Sequence, residues 1–215
     1  ARRRRPSGVA AKDVALFLIR RLGGDGANYQ AIEVAGDALP AFSRDDRLVL
    51  CNLMVEARAK AAIFPGPITS DAQPAVRLDF DCDLADVTPQ VALPHAPDNV
   101  VPVSEAGGIP VQMVFIGTCT GGRAVDFREA WDAFARAGGR LAAGVQLILT
   151  PASRDVHDEI VADGTLERFV AAGAILTTTG CGACCGTSGV IPVDGMTVLS
   201  TANRNFKARM GNATA

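Results

Sequence analysis

From Val111 to Ser200 the chain repeats one pattern: a short apolar run, a loop carrying glycine, proline or serine, then a segment with helical spacing. Val111-Gln112-Met113-Val114-Phe115-Ile116 reads as a buried strand leading straight into Gly117-Thr118-Cys119. Phe127, Trp131 and Phe134 then mark one face of a helix from about Ala124 to Ala137. Val145–Leu149 is the next strand, and Pro151-Ala152-Ser153 opens a helix through Ile160 and Val161. A short helix over Phe169–Ala172 precedes a strand over Ala174–Thr177, which runs into a glycine-rich loop around Cys181. Met196–Ser200 is the last strand, ending before Asn203-Arg204-Asn205. Strands alternating with helices predict a mostly parallel sheet covered on both faces, with right-handed connections. Functional loops in such sheets lie at the carboxyl ends of the strands. Cys119, Cys181, Cys184 and Arg204 all follow predicted strand ends, so ligands scattered in sequence can meet at one edge.

The N-terminal half is less regular. Val14, Phe17, Leu18 and Leu22 recur at helical spacing over Val9–Leu22, with Ser7 as a candidate N-cap. Ala31–Gly36 reads as a strand, Asp45–Ala59 as a helix starting near Ser43, and Ala61–Pro65 as a strand that proline stops. Gly66–Ala75 reads as a linker, and Val76–Phe80 as a further strand. Asp79-Phe80-Asp81-Cys82-Asp83 lacks the glycine and terminal glutamate of a calcium loop and reads as a solvated edge. Val91–Val103, with Pro94, Pro97 and Pro102, is expected to be extended and irregular. These segments divide the chain into a first α/β lobe over 1–75, a Pro-rich connection over 76–105, and a second α/β lobe over 106–215.

Composition narrows the function. With 48% hydrophobic and 20% charged residues the chain can fill a core. A net charge of −2 offers no electrostatic case for nucleic-acid binding. The run Arg2–Arg5 is short and reads as a solvated tail. No apolar stretch approaches the roughly 20 residues of a membrane span, and the N-terminus lacks the apolar core of a secretion signal. A long, core-rich chain of this kind keeps its six cysteines reduced, as in the cytoplasm. Cys51 lies in an apolar helical run and reads as a core thiol; Cys82 receives no role.

The chemistry concentrates in Gly180-Cys181-Gly182-Ala183-Cys184-Cys185-Gly186, with a third thiol in Gly117-Thr118-Cys119-Thr120-Gly121-Gly122-Arg123. Three thiolates among glycines suit an iron–sulfur cluster with one open iron, a Lewis acid for a hydroxyl group. Glycines let backbone N–H groups approach the sulfur atoms. A redox Cys181/Cys184 pair is the runner-up, although thioredoxin-like pairs lie early in a small domain. Structural zinc needs a fourth ligand, and Cys185 directly follows Cys184, which disfavours both on one ion. Asn52 and Glu56, four apart on a predicted helix, would share a face; spacing alone favours a solvated polar stripe over a catalytic one. Asn203-Arg204-Asn205-Phe206-Lys207-Ala208-Arg209 puts two guanidiniums past a strand end, suited to bidentate carboxylate binding or to an ordinary basic segment. His95 and His157 read as structural.

Several linked motifs then carry a resemblance. They are Leu50-Cys51-Asn52-Leu53-Met54-Val55-Glu56, Ile63-Phe64-Pro65, Pro94-His95-Ala96-Pro97-Asp98-Asn99-Val100, Phe115-Ile116-Gly117-Thr118-Cys119-Thr120, Cys181-Gly182-Ala183-Cys184 and Ser200-Thr201-Ala202-Asn203-Arg204-Asn205-Phe206. In this order they resemble the large catalytic subunits of the aconitase superfamily, nearest the isopropylmalate dehydratase and homoaconitase branch, from Ala11 nearly to the end. The resemblance implies three-layer α/β/α domains with mostly parallel sheets. It implies a [4Fe-4S] cluster on Cys119, Cys181 and Cys184, with Asn52 and Glu56 as catalytic residues. Arg204 and Arg209 match substrate-carboxylate binders, with Asn203 beside them. The implied reaction is dehydration and rehydration of a hydroxy di- or tricarboxylic acid, as a hydro-lyase or isomerase. The alternative is a truncated scaffold, or an iron- or redox-responsive binding module. The resemblance also implies a shortened form, lacking the family's N-terminal active-site residues and its swivelling small domain. Partner chains, a small subunit and one supplying the N-terminal part, are therefore expected. Two departures stand out. The family's Ser-Cys-Thr-Asn-Gly-Arg is here Thr118-Cys119-Thr120-Gly121-Gly122-Arg123, and Cys185 is an additional, oxidisable thiol.

Overall fold

The structure is a computed structural model and describes residues 5–66, 76, 81–188 and 190–215. The chain divides into two compact units, Ala1–Leu93 with Pro97–Gly107, and Pro94–Ala96 with Gly108–Ala215. No helix among the described residues is long and apolar enough to cross a membrane.

In the first unit, helix α1 (Ala11–Leu22) buries Val14, Ala15, Leu16 and Ile19. It starts two residues later than its spacing predicts, because Asp13 and not Ser7 closes its first turn. The Asp13 carboxylate accepts the Ala10 N–H at 2.7 Å and the Gln90 N–H at 2.7 Å. Burial nevertheless pushes the Asp13 carboxyl above its ordinary range. Strand β1 (Ala31–Glu33) leads to α2 (Arg44–Leu53), capped by Ser43. The Ser43 hydroxyl accepts from Asp46 N–H at 3.1 Å while the Asp46 carboxylate accepts from Ser43 N–H at 2.9 Å, a reciprocal capping box. The helix tightens into a 3₁₀ turn over Met54–Ala57, which ends at Arg58 in the left-handed region (φ 63°). Strand β2 (Ala61–Ile63) returns parallel to β1, in the register Ala31 to Ala61. Ile19, Leu50, Leu53, Met54 and Leu84 are fully enclosed in this unit's core.

Two expectations change here. Val91–Val103 is not irregular: β3 (Gln90–Ala92) and β4 (Val100–Pro102) pair antiparallel. Pro94 and Pro97 fall in the connecting turn and Pro102 at the strand end, where the missing N–H breaks little of the ladder. Cys82, not Cys51, is the thiol buried in the core; Cys51 is half-buried. The strand expected over Val76–Phe80 lies, except for Val76, outside the described residues.

The second unit realises the α/β rhythm. Its elements are β5 (Met113–Gly117), α3 (Ala124–Arg136), β6 (Gln146–Thr150), α4 (Arg154–Ala162), α5 (Thr165–Ala171), β7 (Ile175–Leu176) and β8 (Val198–Ser200). They form a four-stranded, all-parallel sheet in the order β7-β6-β5-β8. Period-two alternation sorts the side chains. Ile116, Leu147 and Leu149 face Phe127, Val156, Ile160, Leu166 and Phe169 from the three helices. Met113, Phe115 and Ile148 face the other way, onto Ala183, Cys184 and Val198. The segment from β7 to β8 therefore crosses the face opposite the helices.

Asp163 joins α4 to α5. Its carboxylate accepts the Thr165 N–H at 2.9 Å and the Arg128 Nε–H at 2.7 Å, and Arg128 also bridges to Glu159 at 2.7 Å. The bonds from Thr165, and then Arg128, hold the Asp163 carboxyl down at about 2. A folded-state value below the unfolded one stabilises the fold above the unfolded value and is lost as pH falls through the folded one. Asp163→Asn is thus expected to cost about 1 kcal/mol at neutral pH, since the pair is partly exposed and screened. The difference from the parent protein should shrink as pH falls from about 4 towards 2. Urea unfolding across that window checks it; a pH-independent difference would remove the charge from the explanation.

Candidate metal centre

The chain runs from β5 outward through β6 to β7, then returns to place β8 on the opposite side of β5. The order therefore reverses between β5 and β8, and the loops at the carboxyl ends of these two strands are where parallel sheets place ligands. The loop after β5 carries Cys119 and the loop after β8 carries Asn203 and Arg204. Thr201 ties the two together. Its hydroxyl accepts from Gly117 N–H at 2.8 Å and donates to Gly121 C=O at 3.0 Å. The Asn203 side-chain oxygen accepts a hydrogen bond from the Thr120 hydroxyl and lies 3.9 Å from Cys119 Sγ.

Cys181 and Cys184 reach the same edge from β7. Thr177 continues the strand with an N–H bond to Leu149 C=O at 2.9 Å, and Gly180 N–H bonds Pro151 C=O at 3.0 Å. A 3₁₀ turn over Gly182–Cys185 follows. It rests on Thr150 at the end of β6: a Cβ on Gly182 would lie 2.4 Å from Thr150 Oγ1, and its φ of +53° suits glycine. The C-terminal segment closes on the turn's far side, where a Cβ on Gly186 would lie 2.8 Å from Gly211 N. Cys119 and Cys181 are exposed, Cys184 is buried and Cys185 is half-buried.

Electrostatics link the four thiols. Burial pushes the Cys181 thiol up, the neighbouring Cys185, Cys184 and Cys119 push it further, and Arg209 opposes them. A thiol raised by three neighbouring thiols in this way belongs to a donor set that a cation would relieve. Among the described residues no three His, Cys, Asp or Glu converge as a single metal ion requires. In an iron–sulfur cubane each thiolate takes its own iron, so a wider spacing suits that group. Among the described residues, Thr118 Oγ1 beside Cys119 in sequence, Ser188 Oγ past the Cys184 turn and Arg209 Nε are buried and find no hydrogen bond. Glycine-lined turns, several thiols and unspent donors fit an iron–sulfur group.

The remaining predicted residues fall as follows. Arg204 and Arg209 are half-buried past the β8 end, in the same unit as the thiols. Asn52 and Glu56 belong to the first unit. They do not share a helical face: the change to 3₁₀ winding at Met54 leaves Asn52 exposed and buries Glu56. His95 is an exposed loop residue, and His157 Nδ1 lies 2.9 Å from Asp158 Oδ1. Sequence reasoning passed over the threonines. Thr118 and Thr201 lie in loops and Thr150 at the end of β6, and nothing in their spacing marks them. Thr118 sits at φ +76°, an unusual state for a β-branched residue worth about 1–3 kcal/mol of strain.

The family model of the aconitase family (aconitate hydratase) matches residues 4–71 and 104–215. The 3-isopropylmalate dehydratase large subunit 1 of Methanopyrus kandleri is 38% identical over 96% of this chain and 53% of its own length. The homoaconitase large subunit of Thermus thermophilus is 40% identical over 98% of this chain and 53% of its own length. The 3-isopropylmalate dehydratase large subunit 1 of Deinococcus radiodurans is 41% identical over 97% of this chain and 50% of its own length. The chain thus spans about half the length of the curated relatives it matches. With the matched segments covering both units and the thiol-bearing loops, the chain belongs to the aconitase family.

Proposed function

We propose that this chain is part of a hydro-lyase or isomerase acting on a hydroxy di- or tricarboxylic acid of the isopropylmalate or homoaconitate kind. Cys119, Cys181 and Cys184 would hold a [4Fe-4S] cluster. When bound, such a group supplies a Lewis acid for the hydroxyl that leaves. Arg204 and Arg209 bind substrate carboxylate through paired N–H donors, and Asn203 orients the polar end beside Cys119. The family resemblance gives Glu56 the role of a proton-exchanging carboxyl and Asn52 that of a polar contact. The relatives are named large subunits, and we propose a small-subunit partner for this chain too.

The observation that carries this reading is the meeting, at one sheet edge, of the thiol loops with the Asn203–Arg209 segment. A scaffold has no need of carboxylate-binding guanidiniums beside thiols. Anaerobic reconstitution with ferrous iron and sulfide should give a brown protein with broad absorbance near the visible edge. Adding the small subunit together with a chain supplying the N-terminal part should then give hydration of an unsaturated dicarboxylate. A colourless, iron-free product would sink the cluster assignment and leave the scaffold reading.

A further inference from the structure

Resting on the cluster reading, we propose that the Thr118 hydroxyl is a positioning donor reserved for a sulfur atom of the bound group. Thr118 is 2% exposed. Its main chain is fully engaged: the N–H donates to Thr150 C=O at 3.2 Å, and the C=O accepts from Gly122 N–H at 2.9 Å. Only Oγ1 has no partner among the described residues. Other threonine hydroxyls around this edge are engaged. Thr120 bonds Asn203, Thr150 and Thr177 bond each other, and Thr201 bonds Gly117 and Gly121. Thr118 therefore differs from these threonines, and its hydroxyl lies beside Cys119 in sequence.

The backbone points the same way. Thr118 is held in the left-handed region although it is β-branched. The turn around it has no slack, since a Cβ on Gly122 would lie 2.8 Å from Thr118 N and O. A strained turn that buries an unbonded hydroxyl persists when something outside the chain completes it. The next residue is Cys119, a candidate ligand. A hydroxyl donating to sulfide or thiolate withdraws charge from the sulfur, steadies the cluster and raises its reduction potential. The bland alternative is an ordered water in the same place.

Thr118→Val keeps the branching and removes the hydroxyl; Thr118→Ser keeps the hydroxyl. Three readouts on the full chain separate the cases: the melting temperature of the cluster-free protein, the reduction potential of the loaded protein, and the rate of cluster loss to a chelator. Thr118→Val without cluster should melt at or above the parent temperature, because it removes a buried unpaired group. Loaded Thr118→Val should show a more negative potential and lose its cluster at least about threefold faster, with the parent values kept by Thr118→Ser. Parent-like potential and loss rate in Thr118→Val, or a lower melting temperature without cluster, would overturn the proposal. A parent protein that takes up no cluster would overturn the function reading and this inference together.

Discussion

Cys184→Ser is expected to abolish cluster assembly, leaving a folded but colourless protein after reconstitution. Of three thiolates, the site would keep two. Outer-shell changes at metal sites already cost roughly 10- to 100-fold in affinity, and loss of a ligand exceeds that. Cys184 is also buried in contact with the sheet face built by Met113, Phe115 and Ile148. A serine hydroxyl there adds about 1–3 kcal/mol of destabilisation if it finds no partner. Far-UV circular dichroism separates the two effects, because the α/β signal should survive while iron content falls to background. Cys185→Ser is the control for ligand choice, and Cys51→Ser, from the first unit, the control for thiol loss in general. An iron-loaded Cys184→Ser beside an iron-free Cys185→Ser would falsify the ligand assignment and exchange the two adjacent thiols.

Gly121→Ala should be the most damaging of the single-methyl substitutions in the thiol loops. A Cβ at position 121 would lie 2.4 Å from Thr201 C=O oxygen, 2.5 Å from Thr201 Cβ and 2.6 Å from Thr201 Oγ1. The first of these is backbone, held in register by Thr201 N–H bonding Phe115 C=O at 2.9 Å. Neither side can yield without parting the β5 loop from the β8 loop. We expect about 3 kcal/mol of destabilisation, at the upper end for overpacking. Thr201→Ser should not rescue it, since the carbonyl oxygen remains. Denaturant melts of Gly121→Ala, Thr201→Ser and the pair should give near-additive effects, since serine keeps the carbonyl oxygen, Cβ and Oγ1 that meet the new methyl; a double variant restored to the Thr201→Ser stability would contradict the contact.

Much of the second unit was legible in the sequence. The strands near Val111–Ile116 and Val145–Leu149 and the helix near Ala124 appear within two residues of their expected bounds, because each is a strongly periodic apolar segment. The first unit was less so. Its strands are three residues long, and its capping depends on Asp13 reaching Gln90, a long-range bond that no local pattern encodes. Asn52 and Glu56 show the same limit. Their spacing assumed 3.6 residues per turn, and the chain tightens between them. Their change of exposure follows from the packing of Met54 into the core.

The sequence by itself determined which groups are present and at which kind of position. Three thiols and two guanidiniums follow strand ends, and side-chain period decides the face on which each strand's residues lie. Only the tertiary structure decided which loops become neighbours. Periodicity encodes faces, not strand order, and strand order arises from backbone pairing across long separations. The return of the chain to set β8 beside β5 brings Asn203 to Cys119 and Thr201 to Gly121. Packing at this edge also leaves the Thr118 hydroxyl buried and without a hydrogen bond among the described residues, a property that no residue type carries alone.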